Sequence, residues 1–133
     1  MHKLIIPLLA ALSLGTIAVA AESLPAADKD FLAGYEKIQS ALAADDLAAA
    51  KKAATDLGES GAALAKSGSL KEARSSFEAL SLRAEELATG QPGYYVAYCP
   101  MVKKSWVQTS TKISNPYMGK GMSTCGEIKS GPR

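Results

Sequence analysis

Residues 69–90, SLKEARSSFEALSLRAEELATG, contain the clearest structural signal in the chain. They open with Ser69, and Glu72 follows three positions later, which is the spacing of a capping box at a helix N-terminus. Apolar residues then recur in alternating steps of three and four, which places them on one helix face. The members of this stripe are Leu70, Ala73, Phe77, Leu80, Ala84 and Leu87. Gly90 and Pro92 are typical stop signals, so we predict one amphipathic helix before Gly90.

Two further helices are predicted on the N-terminal side of this one. The first begins near Pro25, and its apolar face consists of Phe31, Tyr35, Ile38 and Leu42. The second has Asp45 or Asp46 as its N-cap and ends at Ser67 and Gly68. Its apolar stripe consists of Leu47, Ala50, Ala54, Leu57, Gly61 and Leu64. Because short connections favour antiparallel neighbours, we expect an antiparallel three-helix bundle over about residues 24–89.

The composition changes after this helical region. Residues 94–98, YYVAY, are aromatic and β-branched, which favours a strand, and residues 106–109, WVQT, favour a second one. Residues 114–126 are rich in Gly, Asn, Pro and Ser and are predicted to form a loop. The expected fold class is therefore mainly α, with a small C-terminal β-hairpin and a Cys- and Met-bearing loop over about residues 92–128.

The N-terminal segment has the pattern of a secretory signal peptide. A basic start is followed by the apolar core of residues 4–14 and by the small-x-small cleavage site of residues 18–20. The apolar core is too short for a stable membrane span. We therefore predict a signal peptide over residues 1–20, a single domain over residues 21–133, no membrane span after cleavage, and a periplasmic location.

Charge and composition exclude several function classes for the predicted mature domain. Residues 21–89 carry eight basic and twelve acidic side chains, whereas residues 90–133 carry six basic and one acidic side chain. A basic tail is compatible with nucleic acid, but export and the scattered placement of the lysines argue against that partner. The only histidine is His2, in the predicted signal peptide, and no nucleophile–base pair is visible. We therefore predict that the protein is not an enzyme.

The sulfur-bearing residues of the predicted mature chain all lie in its C-terminal part. They are Cys99, Met101, Met118, Met122 and Cys125. In an extended segment the side chains of Cys99 and Met101 lie on the same face, because they are two positions apart. The soft ions Cu(I) and Ag(I) prefer thiolate and thioether ligands, whereas zinc sites usually have four Cys or His ligands. If the loop folds back over the strand end, these sulfurs form a candidate site for one Cu(I) or Ag(I) ion.

The two cysteines also have a simpler interpretation. A pair of cysteines in a small exported domain commonly forms a structural disulfide. A Cys99–Cys125 bridge would close a loop of about 26 residues and contribute about 3–4 kcal/mol to stability. The methionines would then fill gaps in the core. Spacing alone favours this disulfide over a metal site. A redox enzyme is a weaker alternative, because the chain lacks a Cys-x-x-Cys pair.

Several segments of the chain resemble a bacterial family of exported domains of unknown function. In the C-terminal part they are Cys99-Pro100-Met101, Trp106-Val107-Gln108, Ile113-Ser114-Asn115-Pro116-Tyr117-Met118-Gly119, Met122 and Cys125-Gly126. Upstream, residues 74–81, RSSFEALS, are similar to the R-x-x-F-x-x-L-S helix of this family. Such domains occur alone or fused to periplasmic adaptor subunits of copper/silver efflux pumps. The resemblance covers nearly the whole predicted mature chain.

This resemblance implies copper or silver handling, with a copper/silver efflux component as partner. By position it selects Cys99, Met101, Met122 and Cys125 as metal ligands. Met118 stands where the family usually has Phe, and it is either an extra thioether or a packing substitute. With the resemblance, metal binding is favoured over a purely structural disulfide. The two remain compatible, because oxidation would remove both thiolate ligands.

Three further residues are expected to support this site. Trp106 is expected to pack in the core, with the alternative that it covers a bound cation. Asn115 is expected to cap a turn from which Tyr117 packs inward, with a recognition loop as the alternative. The family pattern favours Arg74 as a brace that donates hydrogen bonds to backbone carbonyls of the C-terminal loop, and a solvent-facing side chain is the alternative.

Overall fold

The computed structural model describes Gly15 and residues 22–131. Apart from Gly15, the predicted signal peptide lies outside the described residues. The elements in chain order are α1 (Ala26–Ala43), α2 (Leu47–Asp56), a 3₁₀ turn (Gly58–Gly61), α3 (Ala62–Ala65), α4 (Leu70–Ala88), β1 (Tyr95–Cys99), β2 (Lys104–Gln108), a second 3₁₀ turn (Lys120–Met122) and β3 (Glu127–Ser130). The expectation of a mainly helical fold with a small β region is therefore confirmed.

The helix boundaries follow from the capping signals in the sequence. Asp46 is the N-cap of α2, because its side-chain Oδ1 accepts a hydrogen bond from the N–H of Ala49 at 2.9 Å. Ser69 caps α4 by accepting from the N–H of Glu72 at 3.2 Å. The Glu72 carboxylate reaches back to the N–H of Gly68 at 2.7 Å, so it satisfies a donor just before the cap.

The prediction of three helices was too simple. The predicted second helix is divided into α2, a 3₁₀ turn and α3. Gly58 has φ +64°, a left-handed conformation that ends α2 and that other residues rarely adopt. Gly61 packs so closely on α2 that an added Cβ would lie 1.9 Å from the carbonyl oxygen of Ala54. The apolar stripe continues through Gly61, but the backbone does not continue as one helix.

The C-terminal region contains a three-stranded antiparallel sheet, so the prediction of a hairpin was incomplete. β1 pairs with β2 as expected, with Ala97 opposite Trp106. β3 pairs with the other edge of β1, with Tyr98 opposite Glu127, and the strand order is β2-β1-β3. β3 escaped prediction because it is short and carries the charged side chains of Glu127 and Lys129, which are typical of an edge strand.

A chain of aromatic rings joins the helices to the sheet and the C-terminal loop. The ring of Tyr35 on α1 stacks on Phe77 of α4 with centroids 4.9 Å apart. Phe77 lies 5.7 Å from Tyr117 in the loop, and Tyr117 lies 6.4 Å from Trp106 of β2. The Tyr35 hydroxyl also accepts a hydrogen bond from the N–H of Val107 at 3.1 Å. The sheet therefore packs directly on the face formed by α1 and α4.

Candidate thiol and metal site

Cys99 is the last residue of β1, and its side chain is completely buried. A tight turn follows it, in which the N–H of Lys103 donates to the carbonyl oxygen of Cys99 at 2.8 Å. Lys103 has φ +55°, which is uncommon outside glycine and marks the turn as tightly constrained. The backbone N–H groups of Met101 and Val102 hydrogen-bond the Cys99 sulfur. Such donors favour the negatively charged thiolate form.

Cys125 reaches this turn because β3 pairs with β1. The pairing brings the segment before β3 alongside the end of β1. Gly126 has φ +142°, and a Cβ at this position would lie 2.9 Å from the ring of Trp106, so only glycine fits. The sulfurs of Cys125 and Cys99 are 2.6 Å apart, and both are free thiols. This distance exceeds a disulfide bond length of about 2.05 Å and is shorter than the roughly 4–5 Å expected for two sulfurs on one ion.

The two thiols differ in how readily they ionise. Burial raises the pKa of the Cys99 thiol, but hydrogen bonds from Cys125 and from the N–H groups of Val102 and Met101 lower it. A hydrogen bond from the Asn115 amide acts in the same direction, and the net pKa of Cys99 is below its ordinary value. The pKa of Cys125 is raised, mainly by the hydrogen bond to Cys99 and next by burial. Of the two thiols, Cys99 is therefore the one that ionises more readily.

Asn115 connects the two cysteines, a role that the sequence analysis missed. Its side chain is completely buried. Oδ1 accepts from the N–H groups of Tyr117 at 2.8 Å and Met118 at 3.3 Å, which is the expected capped turn. Nδ2 donates to the carbonyl oxygen of Cys125 at 2.8 Å, and the side chain also hydrogen-bonds the Cys99 sulfur. The sequence signal was the Asn-Pro dipeptide, which indicates a turn but not its neighbours.

The methionines lie at different depths around the thiol pair. Met101 and Met122 are 63% and 41% exposed, whereas Met118 packs against the core. The carbonyl oxygen of Met122 accepts from the N–H of Cys125 at 3.0 Å, so the backbones of Met101 and Met122 both adjoin the thiols. Across residues 22–131, no group of three or more His, Cys, Asp or Glu side chains could hold a metal ion. Additional ligands for a soft ion would have to be thioethers.

Trp106 and Tyr117 occupy the core beside this site. Trp106 is fully buried, and its indole N–H donates to Oε1 of Gln108 at 2.9 Å. The Tyr117 hydroxyl donates to Oγ of Ser81 at 3.2 Å, and burial raises the pKa of Tyr117 to about 12. Both aromatic side chains thus have packing and hydrogen-bonding partners within the protein, in agreement with the expected core role.

Arg74 connects the helices to the loop that leads to Cys125. Its Nε donates to the carbonyl oxygen of Pro116 at 2.7 Å. Its Nη2 donates to the carbonyl oxygen of Leu42 at 2.8 Å and to Oδ1 of Asp45 at 2.6 Å. The guanidinium group is therefore directed into the protein, between the end of α1 and the loop, rather than into solvent.

No protein family model matches the chain, and no match was found among curated proteins or solved structures. None of the helices in the described part of the chain is long and apolar enough to cross a membrane.

Proposed function

We propose that the reduced protein binds one Cu(I) or Ag(I) ion through Cys99 and Cys125, with Met101 and Met122 as supplementary thioether ligands. The observation that carries this proposal is the contact between the sulfurs of two free thiols, which lie 2.6 Å apart at the end of β1. Thiolates dominate affinity for soft monovalent ions because they carry charge, and thioethers add donors that do not titrate. The role is binding rather than catalysis.

The donor set fits a soft ion, but the sulfurs must separate to accept it. Two sulfurs bound to one ion at about 2.3 Å each are roughly 4–5 Å apart in a near-linear arrangement. Cys99 is fixed at the end of the central strand, whereas Cys125 is partly exposed in the segment before β3. We therefore expect Cys125 to supply most of the movement when metal binds.

The second candidate is a structural module in which Cys99 and Cys125 close a disulfide. The contact of the two sulfurs at 2.6 Å favours this candidate, as does the absence of a third His, Cys, Asp or Glu ligand among residues 22–131. In an oxidising compartment the bridge would attach β3 to the end of β1 and add about 3–4 kcal/mol. The two candidates describe the reduced and the oxidised form of one site.

A competition titration of the reduced protein against a colorimetric Cu(I) chelator distinguishes the candidates. We expect the wild type to take one equivalent of Cu(I), and Cys99→Ser to bind at least about tenfold more weakly, the cost typical even of outer-shell changes at metal sites. The Met101→Leu/Met122→Leu double variant tests the thioethers, with Met118→Leu as a matched control inside the core. Equal and weak binding by wild type and Cys99→Ser would leave only the structural module.

A location outside the cytoplasm and a copper/silver efflux partner form the wider part of the proposal. Their support is the signal-like N-terminal sequence and the motif resemblance around Cys99 and Cys125. Cell fractionation checks the location, and growth of a deletion strain in copper and silver checks the link with efflux. Retention in the cytoplasm, or unchanged metal tolerance, would contradict this part without affecting the titration. Metal-independent turnover through Cys99 of a small substrate other than a thiol or disulfide would contradict the binding role.

A further inference from the structure

The two cysteines of the pair differ in their exposure to solvent. Cys99 is 0% exposed at the end of the central strand, whereas Cys125 is partly exposed. A reagent that arrives from solvent therefore meets the Cys125 sulfur first. Buried cysteines are chemically inert toward external reagents, while accessible ones react.

The surroundings of Cys99 hold its sulfur in position. The turn after β1 fixes its backbone, because the N–H of Lys103 donates to the carbonyl oxygen of Cys99 at 2.8 Å, and the neighbouring Met101, Val102 and Asn115 lower the pKa of its thiol. Asn115 also donates to the carbonyl oxygen of Cys125 at 2.8 Å, which keeps the two residues together. The sulfurs are 2.6 Å apart, so a group attached to Cys125 lies within immediate reach of Cys99.

We propose that this pair undergoes thiol–disulfide exchange with small external disulfides in a fixed order, with Cys125 as the entry sulfur and Cys99 as the resolving sulfur. The exchange is stoichiometric, and its reaction partners are low-molecular-weight thiols and their disulfides. It uses the same cysteines as the proposed function but needs no metal.

Oxidation of the two thiols by an external disulfide takes two steps. Cys125 first loses its proton to solvent. Its thiolate then attacks a disulfide RSSR, breaks the S–S bond, forms the mixed disulfide Cys125–S–S–R and releases RS⁻. The Cys99 thiolate then attacks the Cys125 sulfur, forms the Cys99–Cys125 bond and releases a second RS⁻. The two thiol protons pass to solvent and protonate the released thiolates according to pH. The protein loses two electrons, and RSSR gains them.

The reverse sequence reduces the bridge. An external thiolate attacks the exposed Cys125 sulfur, and Cys99 leaves as a thiolate into its N–H donors. Stabilisation of the leaving thiolate speeds exchange, so the donors around Cys99 favour this direction of attack. The arrangement therefore gives external thiols one point of entry to a site that is otherwise buried.

The wild-type protein tests the order directly. Reduced protein, kept free of metal by a chelator, is treated with limiting iodoacetamide and digested with trypsin. Cys99 and Cys125 then lie in separate peptides, residues 84–103 and residues 121–129. We expect labelling at Cys125 to be at least about tenfold faster, because buried thiols are inert. Equal labelling, or faster labelling at Cys99, would overturn the proposal.

Single-cysteine variants test the resolving step with glutathione disulfide as the probe. We expect Cys99→Ser to accumulate a stable glutathione adduct at Cys125, whereas the wild type proceeds to the internal disulfide and retains no adduct. In the folded state, Cys125→Ser should form its glutathione adduct at Cys99 at least about tenfold more slowly than Cys99→Ser forms its adduct at Cys125. In denaturant the two variants should react at equal rates. A wild-type adduct as persistent as that of Cys99→Ser would overturn the resolving role. Because no metal is present, these outcomes are independent of the copper titration.

Discussion

The helical part, residues 26–88, and the C-terminal part, residues 95–130, are stabilised by different kinds of interaction. The helical part packs apolar stripes closely, and alanines such as Ala50, Ala54 and Ala84 are completely buried in it. The C-terminal part relies on single polar side chains that bond backbone groups. Gln108, for example, accepts from Trp106 and from the N–H of Ser114.

This difference decides how each part responds to substitution. An apolar stripe distributes its stability over many similar contacts, so its pattern matters more than any single member. A buried amide or guanidinium group has particular partners, and those partners lose their hydrogen bonds when it is removed. The helical part should therefore respond to lost volume, and the C-terminal part to lost hydrogen bonds. Side chains that contact both parts, namely the aromatic rings between them and Arg74, should affect both.

Phe77→Ala should have the largest effect and should destabilise both parts together. Phe77 is completely buried and contacts Tyr35 and Tyr117, one from each part. Loss of the ring is expected to lower the free energy of unfolding by about 3–5 kcal/mol. Far-UV circular dichroism follows the helices, and fluorescence of Trp106, the only tryptophan, follows the C-terminal part. Urea transitions measured by both signals should shift equally.

Leu82→Ala is the control for this experiment. Leu82 lies on the same helix as Phe77 but is 62% exposed, so its change in stability should stay within about 0.5 kcal/mol. If the fluorescence transition of Phe77→Ala stayed at the wild-type urea concentration, the two parts would be separate folding units.

Asn115→Ala should have the next largest effect and should act first on the C-terminal part. The change removes the acceptor for the N–H of Tyr117 and the donor to the carbonyl oxygen of Cys125. Unpaired buried groups are expected to cost about 2–3 kcal/mol in total. Asn115→Asp keeps the acceptor, but in this buried site its carboxylate would face the carbonyl oxygen of Cys125. It should therefore be less destabilising than Asn115→Ala only at acid pH, where the carboxyl group is neutral and can donate.

The measurement is a urea titration of both variants followed by Trp106 fluorescence, with hydrogen exchange of the Tyr117 amide as a local probe. At about pH 4, where burial keeps the Asp carboxyl group protonated, we expect the amide to exchange faster in Asn115→Ala than in Asn115→Asp. Equal protection in the two variants would show that the acceptor atom of Asn115 does not hold this turn.

Arg74→Lys tests the connection between the parts with a smaller expected effect. A lysine ammonium group keeps the charge but cannot reproduce the planar set of bonds to Pro116, Leu42 and Asp45. We expect a loss of about 1–2 kcal/mol in the urea titration. Lys52→Gln is the control, because its ion pair with Asp56 is 3.8 Å long and solvated, and it should change stability by less than about 0.5 kcal/mol. Equal effects from both substitutions would remove the special role of Arg74.

The sequence predicts the helical part better than the C-terminal part, and the reason is local periodicity. Ser69, the stripe through Phe77 and the stop at Gly90 all lie within the helix that they specify. The division of the second helix was missed because the apolar spacing continues through Leu57, Gly61 and Leu64, whereas Gly58 between them adopts φ +64° and ends α2. The hydrophobic pattern carries no information about the backbone angle φ, so it cannot show where a glycine ends a helix.

The candidate site was predictable in its members but not in its geometry. Composition alone selects Cys99 and Cys125 as the two thiols, but their contact depends on the pairing of β1 with β3. That pairing joins segments far apart in the chain and has no local signal. The same holds for Asn115, whose turn is visible in the sequence and whose bonds to the cysteines are not. Long-range polar contacts of this kind require the tertiary structure.

Asp45→Asn should have the smallest effect, and its pH dependence reveals whether the charge at this junction matters. The Asp45 carboxylate accepts a hydrogen bond from Arg74 at 2.6 Å and another from the N–H of Lys120 at 3.1 Å. Both bonds lower the pKa of Asp45 below its ordinary value of 3.8, and the bond from Arg74 has the larger effect. A carboxyl group whose pKa is lowered by folding stabilises the protein above the pKa of the unfolded chain, and this contribution disappears as pH falls through the folded pKa.

Asn is a suitable replacement because Asp45 has φ +57°, a conformation that Asn also tolerates. The wild type should therefore be more stable than Asp45→Asn at about pH 7, and the difference should shrink below about pH 4 and vanish once Asp45 is protonated. Urea midpoints measured across this range check the prediction, and a difference that stays constant down to about pH 2 would assign the effect of Asp45 to shape rather than charge.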